Sequence, residues 1–221
     1  ISVLSLWDNT KNALQIDAAI LRNTLKTIAI NGYYYPKKEN NNFDFEIKID
    51  KFKLYLLQHY LSSFCSDFRG LASGNLHLYG SPQKPIFEGE LLLQKTNLKI
   101  TYLNTIYSFA HKIKIGKNSI SFSNLIANDS LGNEAIINGE ITHNFFSNFN
   151  YKINIRTKKF AALYTNSSQN DIYYGSGFIS GKIDIYGNTN NVYIDINAKT
   201  EAGTRIYIPL TNNAPNDKIP A

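Results

Sequence analysis

The 221-residue chain has one cysteine, no methionine and four histidines. A lone Cys65 excludes an internal disulfide and a cysteine-built zinc site, and it reads as a buried thiol. His59, His77, His111 and His143 lie far apart, and none has a second histidine or a carboxylate at ligand spacing on a helix. No metal centre is expected, and the imidazoles read as surface or strand-edge groups. Long hydrophobic runs are missing too: the apolar stretches fall far short of the roughly 18 to 20 residues that a helical membrane span needs. There is no G-x-S-x-G elbow, phosphate loop or dinucleotide glycine fingerprint. Basic tracts are also lacking. Lys plus Arg number 23 against 17 Asp plus Glu, a net charge of +6, but the cations are scattered. Even the pairs Lys37, Lys38 and Lys158, Lys159 read as solvated turns, so no nucleic-acid partner is expected. The carboxylate pairs Asp184, Asp195 and Glu88, Glu90 fall on the polar phase of alternating segments, where solvated charge is the ordinary role. The expectation is a protein that is not an enzyme and holds no cofactor. With no methionine, and an opening at Ile1 inside an alternating pattern, the chain reads as a piece of a longer protein, so a missing leader carries no weight.

What the sequence does have is period-two alternation, the pattern of half-buried strands. Phe43, Phe45, Ile47 and Ile49 alternate with Asp44, Glu46, Lys48 and Asp50. The same phase picks out Leu14, Ile16, Ala18 and Ile20; Leu76 and Leu78; Phe87, Leu91 and Leu93; Ile113 and Ile115; and Ile120 and Phe122. It continues through Ile137 and Ile141; Tyr151, Ile153 and Ile155; Ile183 and Ile185; Val192, Ile194 and Ile196; and Ile206 and Ile208. Asn31-Gly32, Gly80-Ser81-Pro82, Gly116-Lys117-Asn118, Asn138-Gly139 and Gly187-Asn188 read as tight turns between antiparallel strands. The fold class is all-β, a meander of ten or more strands. Spacings of three and four among Phe52, Leu56, Leu57, Tyr60, Leu61 and Phe64 predict one short amphipathic helix near 53–65. Ser73-Gly74-Asn75-Leu76-His77-Leu78-Tyr79-Gly80 repeats as Ser180-Gly181-Lys182-Ile183-Asp184-Ile185-Tyr186-Gly187, which suits a sheet that grows by similar units. Residues 1–210 read as one repetitive segment, and 211–221 as a linker or tail. The residues on the apolar phase are expected to share one face, with Asp44, Glu46, Lys48, Asp184 and Asp195 on the other.

Asn31-Gly32-Tyr33-Tyr34-Tyr35-Pro36, Asn42-Phe43-Asp44-Phe45, Leu56-Leu57 and the Gly74 to Gly80 segment, in that order, resemble the C-terminal region of TamB-type proteins, notably those of Bacteroidetes. Tyr102-Leu103-Asn104-Thr105, Tyr107-Ser108-Phe109, Asn138-Gly139, Thr142-His143, Tyr174-Gly175 and Ile208-Pro209-Leu210 extend the resemblance over roughly residues 12 to 210. Each piece is short, and the specificity lies in their order. The resemblance implies a periplasmic protein bridging the inner and outer membranes of a Gram-negative bacterium, held in the membrane by other parts of the parent chain. It further implies an elongated twisted sheet curled into a U-shaped groove, with a BamA- or TamA-like outer-membrane barrel as partner. Phospholipid acyl chains would then be carried along the apolar phase, that is, along Phe43, Phe45, Ile47, Ile49, Leu76, Leu78, Leu91, Leu93, Ile137, Ile141, Tyr151, Ile153, Ile155, Ile183, Ile185, Val192, Ile194 and Ile196.

Alternation alone does not separate an open groove from a closed sandwich. A scaffold that helps outer-membrane proteins assemble by lending its edge strands fits the pattern as well. A transmembrane barrel expects apolar strands of about 9 to 11 residues with aromatic girdles, whereas most runs here hold two to four apolar positions. A carbohydrate-binding or adhesive module is the most distant reading.

Overall fold

The computed structural model describes residues 1–22, 24–62 and 65–209, with the side chains of residues 60 and 61 excepted. Thirteen strands form one antiparallel sheet. They are β1 (Ser2–Asp8), β2 (Ala13–Arg22), β3 (Leu25–Tyr34), β4 (Phe43–Lys53), β5 (Cys65–Ser81), β6 (Lys84–Ile100), β7 (Thr105–Gly116), β8 (Ser119–Asn128), β9 (Glu134–Asn144), β10 (Ser147–Thr165), β11 (Tyr174–Asn188), β12 (Val192–Thr200) and β13 (Arg205–Tyr207). Spatial order equals chain order from β1 to β12, and β13 pairs with β11 beyond the end of β12. Among the described residues the sheet is open, because β1 and β12 do not pair. In such a meander every second connection falls at the same end of the strands. The turns after β1, β3, β5, β7, β9 and β11 make a near side, and those after β2, β4, β6, β8 and β10 a far side.

Two expected turns are strand interior. Asn31-Gly32 lies within β3 and Asn138-Gly139 within β9. Both glycines are there for close approach rather than for turning. A Cβ on Gly32 would stand 2.0 Å from the carbonyl oxygen of Asp44, and one on Gly139 would stand 2.3 Å from the Phe122 ring that lies over it. The helix is also shorter than its apolar spacing suggests. Phe52 belongs to β4, and the connection holds only a 3-10 turn at Leu54–Leu57 and an α-turn at Gln58–Leu61. Leu54 packs against Ala72 and Leu93, whereas Leu56 and Leu57 are exposed. Phe64, like the tail from 211, lies outside the described residues.

The internal repeat has a structural meaning. Lys51 and Lys159 each sit at a β-bulge with left-handed φ, 50° and 54°. Each donates its backbone N–H to the serine that opens the repeat, Lys51 to Ser73 Oγ at 2.9 Å and Lys159 to Ser180 Oγ at 2.8 Å. The N–H that the bulge removes from the ladder is thereby satisfied. The next residue is glycine in both copies because the neighbouring strand's carbonyl occupies the Cβ position.

The β8–β9 hairpin is short, so β7 and β10 meet past its tip. Asp129, in that tip, accepts N–H bonds from Leu131, Asn133 and Ala161 of β10, and from the Asn133 side chain. The Tyr107 hydroxyl donates to the Ala161 carbonyl, and its ring stacks on Phe160 at 4.9 Å. Burial raises the Asp129 carboxyl pKa, but the converging donors outweigh it and hold the group below its ordinary range. A depressed folded value means that the stabilisation is present above the ordinary carboxylate range and is lost as pH falls through the folded value. We predict that Asp129→Asn lowers stability by about 2 to 3 kcal/mol at neutral pH, since charged acceptors contribute roughly 1.5 to 3 kcal/mol. Urea unfolding at stepwise lower pH should show the gap to wild type closing; a gap that does not change with pH would refute the assignment.

Candidate functional site: the apolar face

Because antiparallel partners point to the same side, the registers define rows that run across the strands. One row contains Val3, Ala18, Ile30, Ile47, Leu76, Gly89, Ile115, Ile120, Ile141, Tyr151, Gly187 and Val192, one residue from each strand from β1 to β12. Parallel rows hold Phe45 with Leu78, Ile49 with Leu91, Ile153 with Ile185 and Ile194, and Ile155 with Ile137, Ile183 and Ile196. Phe43 and Leu93 follow the same phase. The strands therefore put every groove residue inferred from the sequence on one face. Asp44, Glu46, Lys48, Asp184 and Asp195 occupy the other.

The face changes along its length. Phe45, Ile47, Leu76 and Leu93 are buried; Ile153, Ile155, Ile183 and Ile185 are half-buried; Val192, Ile194 and Ile196 are exposed. Burial is greatest where rows of large side chains fill the space above β4 to β6, and it falls as neighbours run out towards β12. Sequence reasoning missed the polar atoms set into this face. Thr96 and His143 are buried, with no hydrogen-bond partner for Thr96 Oγ1 or His143 Nε2 among the described residues, and His111 pairs with Leu93 on the same phase. His143 is thus not the surface imidazole expected. It stacks on Phe146 at 4.4 Å, and Phe146 N donates to its Nδ1 at 3.2 Å. Burial pushes its pKa down. Phe146 in turn meets Phe87 edge-on at 5.5 Å, joining the β9–β10 and β5–β6 tips beyond the shorter β7–β8 hairpin. Cys65 is fully buried, and burial raises its thiol pKa.

The opposite face is solvated. His77 Nε2 lies 2.9 Å from Asp44 Oδ1, and the Tyr79 hydroxyl donates to Glu88 at 2.7 Å. Asp184 and Asp195 are direct cross-strand partners. Lys182 at 2.7 Å and Asn154 at 2.6 Å attend Asp184 and hold its carboxyl below the usual range. Among the described residues, no three His, Cys, Asp or Glu side chains converge as a metal site would require, and no helix is long and apolar enough to cross a membrane.

No curated protein and no solved structure matches the chain. A family model does, from the middle of β8 past β13, so the upstream half of the resemblance rests on its sequence motifs alone. Over residues 123–219 the chain matches the family model of the TamB C-terminal domain.

Proposed function

We propose that this chain is a segment of a bridge between the two membranes of a Gram-negative envelope, and that its apolar face carries phospholipid acyl chains. The role is not catalytic. The observation that carries the reading is the unbroken apolar row across twelve strands. Exposing an acyl chain to water costs about 0.8 kcal/mol per CH₂, so a continuous apolar lane lowers the barrier to crossing an aqueous gap. The TamB match supports a place in envelope assembly, and a sheet curled about this face into a trough would give the lane its walls. The partner expected is a BamA- or TamA-like barrel in the outer membrane.

A second reading is favoured by β12. Its residues are exposed on both faces, and among the described residues no strand pairs its outer edge. Such an edge can take up a strand of a nascent outer-membrane protein. Site-specific photocrosslinking separates the two. A photoreactive residue at Ile185 or Leu91 should capture phospholipid in cells, whereas one at Lys152, on the solvated face, should not. Protein adducts at β12 with no lipid adducts at Ile185 would favour the edge-pairing reading.

A further inference from the structure

The internal repeat does more than set bulges. Its seventh residue is tyrosine in both copies, Tyr79 in β5 and Tyr186 in β11, each at the near end of its strand. Both lie on the solvated face, where their cross-strand partners are Asp44 and Lys152. Each hydroxyl meets a carboxylate of the following strand: Tyr79 donates to Glu88 at 2.7 Å, and Tyr186 hydrogen-bonds Asp195. Each ring also lies on a second ring. His77 stacks with Tyr79 at 5.1 Å between centroids and 27° between planes, and Tyr193 with Tyr186 at 5.5 Å and 21°. A two-ring ledge edged by a carboxylate is thus built twice, six strands apart in the sheet, or about 29 Å along it at roughly 4.8 Å per strand.

The first ledge is the more enclosed. Asp44 Oδ1 lies 2.9 Å from His77 Nε2, so each of its rings has a carboxylate bound to it. Tyr35 and Lys38 stand beside it in the β3–β4 connection, with Lys38 Nζ 3.6 Å over the Tyr35 ring. These groups line an open cavity of about 440 Å³, a size in the range of small-molecule sites. The second ledge is the more open, with Tyr186 42% and Tyr193 56% exposed. In both copies the tyrosine proton is engaged by its carboxylate, which raises the hydroxyl pKa. The phenol oxygen and the second carboxylate oxygen are left as acceptors. The ledges therefore offer flat apolar ring faces edged with acceptors, and Lys38 adds donors at the first. A pyranose matches that set, with a C–H face for the ring and hydroxyl donors along its edge. A 2-acetamido group adds a methyl for the ring, an N–H for a carboxylate and a carbonyl for the lysine. Two ledges on one face suit a polymer, because the second contact becomes intramolecular once the first is made. We propose that the solvated face binds a glycan strand of N-acetylated amino sugars through Tyr79 with His77 and Tyr186 with Tyr193. The site lies opposite the apolar lane, so occupancy of one face leaves the other free.

The test is cosedimentation of the whole chain with insoluble chitin, a polymer of N-acetylglucosamine, with its soluble hexamer as competitor. Wild type should sediment, and the hexamer should release it. Tyr193→Ala, at an exposed edge position, should keep the melting temperature and weaken binding by about tenfold, and Tyr79→Ala should weaken it as much. The two together should abolish sedimentation, since the linked contacts are then both lost. Tyr102→Ala, which removes an exposed tyrosine of the far side, should sediment as wild type does. Wild type left in the supernatant overturns the proposal, as it would be if the ledges take up a peptide instead. So does a folded double variant that still sediments. If Tyr79→Ala unfolds, Tyr193→Ala alone decides: a folded variant that binds as wild type does overturns the proposal. Phospholipid crosslinking at Ile185 should persist in Tyr193→Ala, so the glycan site and the lipid lane fail separately.

Discussion

Gly74→Val is expected to cost more than about 4 kcal/mol and to lower the melting temperature by about 10 °C or more, at roughly 2 to 4 °C per kcal/mol for a chain of this size. The reason is positional. A Cβ on Gly74 would stand 2.1 Å from the carbonyl oxygen of Glu90 and 3.0 Å from the Leu91 Cα, both backbone atoms of the adjacent strand. Backbone cannot swing aside as a side chain can, so β5 and β6 must separate there. These are two of the longest strands, 17 residues each, and they stand in the middle of the sheet. Gly181 is the matching glycine of the second repeat, and a Cβ there would meet Asn197 O at 2.3 Å. Gly181→Val should nonetheless cost less, because only the edge strand β12 is displaced. Gly116→Ala is the control, since its nearest neighbour is Ser119 Oγ at 3.4 Å. Hydrogen exchange should show protection lost across β5 and β6 in the Gly74 variant and confined to β11 and β12 in the Gly181 variant. Equal losses in the two would mean that the repeat glycines do not act through strand approach.

The face was legible in the sequence because a strand's period is two: once Phe43 to Ile49 is read as a strand, each residue's side follows, and register carries the assignment to the next strand. Period-two reading also tolerates ignorance of where turns fall, which is why placing Asn31-Gly32 and Asn138-Gly139 in turns left the phase of their neighbours intact. It fails at bulges. Lys51 and Lys159 adopt left-handed φ with nothing in their side chains to announce it, and beyond them the phase shifts, carrying Phe52 and Phe160 onto the apolar face. The helix near 53–65 was overread because its apolar residues serve two ends: Leu54 anchors the connection and Leu56 and Leu57 face solvent.

Ile153→Asp is predicted to part stability from function. Ile153 lies mid-strand in β10, opposite Gly139 and Ile185, with Ile194 beyond. It is half-buried, and Ile194 in the same row is 56% exposed, so water reaches this stretch of the face. An aspartate there keeps part of its hydration. The expected loss is about 1 to 2 kcal/mol from the missing apolar contact, and the melting temperature should fall by roughly 2 to 8 °C. In a closed core the same carboxylate would be buried unpaired at a cost of several kcal/mol, and the chain would unfold. Along an acyl lane, by contrast, a hydrated charge is a barrier in itself, because the passing CH₂ groups cannot offset its desolvation. Lipid crosslinking at Ile185 and envelope complementation should therefore be lost in a variant that remains folded. A folded Asp variant that still crosslinks lipid and complements fully would sink the conduit. Ile153→Leu, which keeps the face apolar, should preserve both readouts. Failure of the leucine variant would attribute the loss to packing beside Ile185, not to charge in the lane.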